Sequence, residues 1–200
     1  MLKQQTKVQA VNSMLAAVGE APITNLEADL AEAQTAITIL DDVSRELQTR
    51  GWSWNRQVNR KIKRSATNEV HLPAHTLAVD IKDEFTERQM RGSRVAFRNG
   101  KLYDLVKFTY IFDADPTLDL IYGLDFDELP ESARRAIVLD ATARYTQIVL
   151  GVDTDTQFIT SQAIKAYIQL EQEEDNLSDF NIVTDNPLTS YTSDRVRYLP

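Results

Sequence analysis

His71 and His75 are the only histidines and stand four residues apart in "HLPAH". That is the interval at which one helix face presents two imidazoles to a metal. Pro73 between them opposes such a helix, and the glutamate of the H-E-x-x-H pattern is missing, so a metal site is not expected there. Asp113, Asp115 and Asp119 in "DADPTLD" resemble the opening of a calcium loop. The sixth position lacks the required glycine and Leu124 occupies the twelfth, where glutamate belongs; a turn before a strand is the expected outcome. Glu84 and Glu87 are the carboxylates from which a glycan-hydrolysing acid/base pair would be drawn, although their closeness in sequence does not supply the opposed geometry of such a pair. Neither a phosphate-binding glycine loop nor a nucleophile elbow is present. No catalytic residue, cofactor or metal is expected, and the chain is read as a non-enzyme.

Binding chemistry is better represented. Arg56, Arg60, Lys61, Lys63 and Arg64 follow closely on Trp52 and Trp54, and Arg88, Arg91, Arg94 and Arg98 form a second basic group. Basic segments with neighbouring aromatics can hold a phosphate backbone without sequence preference. The whole chain nevertheless has a net charge of -8, so a subunit interface or a solvated face is expected ahead of duplex binding. The charge is uneven: residues 51–110 carry 12 - 6 = +6 and residues 111–180 carry 4 - 15 = -11. Tyr191, Arg195 and Arg197 add a further candidate contact near the C-terminus.

The elements that must position these residues follow from periodicity. Val8, Val11, Leu15 and Val18 mark a helix over about 6–18, with Gly19 just past its end and Pro22 as a breaker. Leu30, Ala33, Ile37, Leu40, Ser44 and Leu47 mark a long helix over 28–49, capped by Thr24 or Asn25 and stopped by Gly51. "WSWNRQVNRKIKR" then reads as a half-exposed strand with both indoles on one side. "TLAVDIKD" and "PTLDLIYG" read as further strands, and Asn99-Gly100 in "RVAFRNGKLYDL" fits a two-residue hairpin turn. Pro130 opens a third helix with Ile137, Ala141, Tyr145, Ile148 and Val149 inward, and a fourth buries Phe158, Ile159, Ala163, Ala166, Tyr167 and Leu170. From Asn176 onward no period is sustained, and an extended tail is expected.

The expected fold is α+β: an antiparallel bundle of four helices, two from each end of the chain, with an inserted β-rich subdomain. The divisions are 1–55, 56–122, 123–175 and a tail over 176–200. With no cysteine, disulfides and thiolate metal sites are excluded. No stretch reaches the ~18 apolar residues of a membrane span, and no export signal is read at the N-terminus.

Three stretches, "AVNSMLAAVGEAPITNLE", "LDDVSRELQTRGWSWN" and "LDFDELPESARRAIVLDATARYTQ", resemble in order and spacing the tail tubular protein A family of short-tailed, T7-like bacteriophages. The resemblance covers the first 55 residues and roughly 123–175. It implies a virion structural protein, the head-to-tail adaptor or gatekeeper: a twelve-subunit ring below the portal. The ring joins the portal to the nozzle protein, tail tubular protein B, meets the tail fibres, and lines the channel for genome retention and ejection. It also implies synthesis in the bacterial host cytoplasm. The contrasting charges of the middle and the C-terminal third are compatible with the two unlike faces that a head-to-tail ring requires. On this reading Gly19, Pro22, Gly51, Trp52, Trp54 and Pro130 are structural junctions, with the two indoles pinning the long helix to the sheet. The alternative is a tail-associated glycan hydrolase working through the carboxylates of the β-rich region.

Overall fold

The computed structural model of the chain describes residues 4–27, 30–81, 94–151 and 154–185. The first helix, α1, spans Lys7–Ala17. The Thr6 hydroxyl accepts from the Gln9 amide while the Gln9 side chain accepts from the Thr6 amide, a reciprocal cap that satisfies two donors at the helix start. At the other end Gly19 adopts φ +81°, and the amides of Gly19 and Glu20 donate back to the carbonyls of Ala16 and Leu15. This closing turn needs a left-handed residue, which is why glycine follows the helix.

Helix α2 spans Ala31–Gln48, and its N-cap is Leu30, which supplies no side-chain bond. The expected cap by Thr24 or Asn25 is therefore corrected. Asn25 instead accepts from the amide of Glu27, two residues on, closing a local turn well before the helix begins.

The strand expected from Trp52 starts later. Residues 53–55 form a turn, and β1 spans Arg56–Lys61 with all six residues exposed. A bulge between Gln57 and Arg60, with Asn59 at φ +55°, adds a residue to one strand. That extra residue shifts the side-chain alternation, so the polar and apolar residues do not keep a strict period of two. β2 (Thr76–Ile81) and β1 flank a central β5 (Thr117–Tyr122) in an antiparallel sheet of order β1-β5-β2. β3 (Val95–Arg98) and β4 (Lys101–Asp104) make the hairpin, with Asn99 at φ +52° and Gly100 at φ +73° and Arg98 opposite Lys101. Positive φ at both central residues is the turn that Asn-Gly favours. Val70, Leu72, Leu102, Phe112, Leu118 and Leu120 form a core under these strands.

A single 3-10 turn, Phe126–Glu128, leads to α3 (Glu131–Leu150), with Pro130 as its N-cap residue, and then to α4 (Thr154–Asp185). α3 packs against α1, α2 and α4. Met14, Leu15, Leu40, Ile137, Tyr145 and Leu170 belong to the helical core, which also takes in Trp52. The mixed α+β class with four helices and small antiparallel sheets is as expected.

Two expectations for the second helical pair are corrected. Ile148 and Phe158, read as inward-facing, are 67% and 64% exposed, and Val149 is also in solvent. Periodicity marks an apolar face but does not say whether that face is covered from within the chain. The extended tail expected from Asn176 is also displaced, since α4 runs through Asp185. Neither proline nor glycine interrupts 176–185, so loss of the apolar period there does not end the helix. Residues 186–200, with Tyr191, Arg195 and Arg197, lie outside the described residues.

Candidate functional site: the helix-to-sheet junction and the surfaces around it

The end of α2 meets the end of β5 through a polar network buried between the helical and β-rich parts. Gln48 is 2% exposed. Its side-chain oxygen accepts from the Leu124 amide at 2.6 Å, and its side-chain nitrogen donates to the Leu124 carbonyl at 3.1 Å and to the Ser44 hydroxyl at 3.0 Å. Gln48 thereby meets both backbone groups of Leu124, as a neighbouring strand would. Asn55, also buried, donates from its side chain to the carbonyls of Gln48 and Tyr122, while its own carbonyl accepts from the Tyr122 amide. Buried amides that satisfy backbone groups fix the relative position of the elements they join, because leaving any one of those groups unpaired is costly.

Trp52 and Trp54 sit on the turn directly above this network. The indole nitrogen of Trp52 donates to the Leu47 carbonyl at 2.7 Å, an acceptor in the last turn of α2 that the Arg50 amide reaches at 3.5 Å. The two indoles are nearly parallel, with an interplanar angle of 5° and centroids 6.3 Å apart. Tyr167 of α4 meets Trp52 edge-on at 6.2 Å. The Arg50 guanidinium lies 5.5 Å from the Trp52 centroid and 5.0 Å from that of Tyr167, and its Nη1 pairs with Glu171 at 2.9 Å. Glu174 of α4 accepts from both the amide and the hydroxyl of Ser53. α2, the Trp turn and α4 are thus joined by aromatic and ionic contacts in one place.

Gly51 allows the approach. It has φ +76°, and a Cβ at this position would stand 2.5 Å from Cδ1 of Ile121. Only glycine lets the chain turn here while β5 comes so close.

The remaining junction residues fall elsewhere. Gly19 closes α1 and Pro22 lies exposed in the following loop, whose next residue, Ile23, is buried and exchanges two hydrogen bonds with the Asn12 side chain. Near Pro130, Arg134 is almost completely buried. It donates to the carbonyls of Leu129, Gln5 and Asp127 and to the Gln4 side chain, tying the N-terminal segment to the start of α3.

The basic residues divide by what they already hold. Arg56 pairs with the buried carboxylate of Asp119 at 3.1 Å, and that carboxylate also accepts from the Asn59 amide inside the β1 bulge. Arg64 contacts Asp115 through its backbone amide and its guanidinium, and donates to the Phe112 carbonyl. These contacts, the backbone amide first, hold the Asp115 carboxyl below its ordinary range. Arg60 donates to Gln57 and the Tyr122 hydroxyl, and Arg98 stacks on Tyr103 at 4.2 Å. Lys61 is exposed at the end of the edge strand β1 and Lys63 just beyond it, and Arg94 is exposed beside the hairpin. The structure thus sets Arg56, Arg60 and Lys61 along one edge strand, with Arg64 turned into the β-rich part. Arg88, Arg91, Glu84 and Glu87 lie outside the described residues.

The three aspartates of "DADPTLD" are each occupied by a different cation. Lys107 takes Asp113, Arg64 takes Asp115 and Arg56 takes Asp119. From sequence, no individual role is assigned to Gln48, Asn55 or Arg134, and Asp119 is taken only as part of a turn before a strand. The available signal was a polar residue on the apolar face of a helix, at Gln48 four residues after Ser44 and again at Arg134.

Comparison with known proteins bears on what this architecture serves. The family described as tail tubular protein matches residues 8–180, which takes in both sheets and most of each of the four helices among the described residues. The chain belongs to the tail tubular protein family. It is a structural component of a bacteriophage tail rather than an enzyme. Tail tubular protein A of Klebsiella phage KP34 is 29% identical over 150 residues, covering 74% of this chain and 76% of that protein. The match extends through the β-rich middle, beyond the helical stretches in which the sequence motifs lie. Within this family the buried network at Gln48 and Asn55 reads as architecture, and no helix among the described residues is long and apolar enough to cross a membrane.

Proposed function

We propose that this protein is the head-to-tail adaptor of its virion. Twelve copies form a closed ring between portal and nozzle, meet the tail fibres and line the channel that retains and then ejects the genome. Membership of the tail tubular protein family is the observation that carries this reading. The physical support is that the molecule offers unlike surfaces: a basic edge strand on the β-rich part, and helices α3 and α4 that expose large apolar side chains in an acidic stretch of chain. A ring built head-to-tail needs two different complementary surfaces on each subunit.

In this arrangement residues 56–122 act as an inserted subdomain, and Gly51, Trp52 and Trp54 pin it to the helices. Gly19, Pro22 and Pro130 shape the turns of the helical part. The basic residues of β1 and the hairpin face a protein neighbour, and genomic DNA passes without specific contact. Residues Tyr191, Arg195 and Arg197 reach a neighbouring subunit or the portal.

Co-sedimentation with isolated portal rings tests the assignment. The adaptor reading expects stoichiometric binding to the portal and recruitment of the nozzle protein only when this protein is present. Nozzle binding to the portal in its absence would remove the adaptor role.

A further inference from the structure

We propose that the loop after β4 is a knob that enters an apolar hollow among α2, α3 and α4 of the next copy of this chain, making the head-to-tail contact of the assembly. This rests on the ring reading above. The loop displays Val106, Phe108 and Ile111 to solvent, with Phe108 77% exposed. Phe108 has φ +55°, a conformation that side-chain-bearing residues rarely adopt without structural enforcement.

The enforcement is visible. The buried Asp104 carboxylate accepts from the amides of Val106 and Lys107 at 2.7 and 2.9 Å, and the Asp104 amide donates to the Thr109 carbonyl. Tyr103 and Tyr110 pack edge-to-face at the base. Three large apolar side chains are therefore held outward by a specific buried anchor. An exposed apolar cluster built at such expense to the backbone marks a contact surface.

The hollow is on the same molecule. Leu47 of α2, Ala136 of α3 and Ala163, Ile164 and Tyr167 of α4 line a cavity of about 320 Å³. A cavity of about 150 Å³ is enough to take up a benzene-sized group, so the hollow has room for the Phe108 phenyl and part of Val106. Charge agrees in sign. Residues 94–111, which carry the knob, together with the ion-pair partners Glu69 and Asp113 hold four cations and three anions, 4 - 3 = +1. The hollow is lined by Glu46, Asp140 and Arg50, and with their ion-pair partners Glu171 and Arg144 the balance is 2 - 3 = -1. A projection and a receiving cavity at different places on one chain form a contact that repeats from copy to copy rather than closing a two-fold dimer.

The chain has no cysteine, so engineered thiols report the contact directly. Val106 and Ile164 are both exposed positions, and thiols placed there by Val106→Cys and Ile164→Cys leave Phe108 intact. Under mild oxidation the double variant is expected to give a ladder of disulfide-linked multimers on a non-reducing gel. An equimolar mixture of the two single variants is expected to give crossed dimers, and Phe108→Asp added to the double variant to reduce both the ladder and the assembled fraction at least tenfold. An assembled ring with no 106–164 cross-link, and with assembly unchanged in Phe108→Asp, overturns this contact while leaving the ring reading intact. A chain that stays monomeric at every concentration and on portal rings, with no ladder, overturns both.

Discussion

The side-chain nitrogen of Asn55 donates to the backbone carbonyl of Gln48 at 2.9 Å, joining the last residue of α2 to the turn that begins the β-rich part. The same nitrogen reaches the Tyr122 carbonyl at 2.8 Å, so one buried amide closes the gap between helix end and sheet end. Asn55→Ala leaves two backbone carbonyls without this donor inside the junction. Breaking a buried hydrogen bond and stranding its partner costs about 1–3 kcal/mol. Urea unfolding followed by circular dichroism should show a loss in that range, with Asn55→Asp no better because it lacks the donor.

Trp52 and Trp54 differ in what holds them, and their substitutions should differ accordingly. Trp52 is buried and donates to Leu47, whereas the indole nitrogen of Trp54 is buried without a hydrogen-bond partner among the described residues. Trp52→Ala should destabilise by about 3–5 kcal/mol, as large aromatic truncations in cores do. Trp54→Phe removes an N–H that makes no bond, and should cost less than Trp52→Phe. Thermal unfolding of the three variants under one condition checks the order.

Gly51 combines positive φ with a close neighbour, and the two effects separate experimentally. Gly51→Ala should cost more than about 1 kcal/mol, because alanine is strained at φ > 0 and its Cβ meets Ile121. Gly100→Ala carries only the backbone strain, since nothing stands within 4 Å of its Cβ position. Ile121→Val removes the methyl nearest to the new Cβ. It should recover part of the loss in the Gly51→Ala background and none in the Gly100→Ala background.

Asp115 and Glu69 give the β-rich part an acid-sensitive limb. Hydrogen bonds from Arg64 lower the Asp115 pKa, and the Lys101 ammonium, chiefly by hydrogen bonding, lowers that of Glu69. A carboxyl depressed in the folded state adds stability above its unfolded pKa of about 4, and that contribution disappears as pH falls through the lower folded value. Asp115→Asn should therefore lower the melting temperature at pH 7 and have a smaller effect at pH 3. Equal shifts at both pH values would show that the ion pair is not the cause.

Much of the fold was legible because its local signals are strong. Gly19 follows α1 in a left-handed conformation, Asn99-Gly100 turns the hairpin, and Pro130 stands at the entrance of α3. The junction was legible in its glycine and its tryptophans but not in its polar members. Gln48 and Asn55 lie in the stretch that carries the family resemblance, but their role depends on Tyr122 and Leu124, some 70 residues away in sequence, arriving beside them. The buried faces of α3 and α4 were misread at Ile148, Val149 and Phe158, since periodicity marks an apolar face without saying whether the rest of the chain covers it.

The mass of the purified protein in solution, by light scattering with and without its portal ring, tests the adaptor account most directly. A species of about twelve subunits, either alone or assembled only on the portal, is the predicted result. A monomer that ignores the portal at every concentration would contradict it.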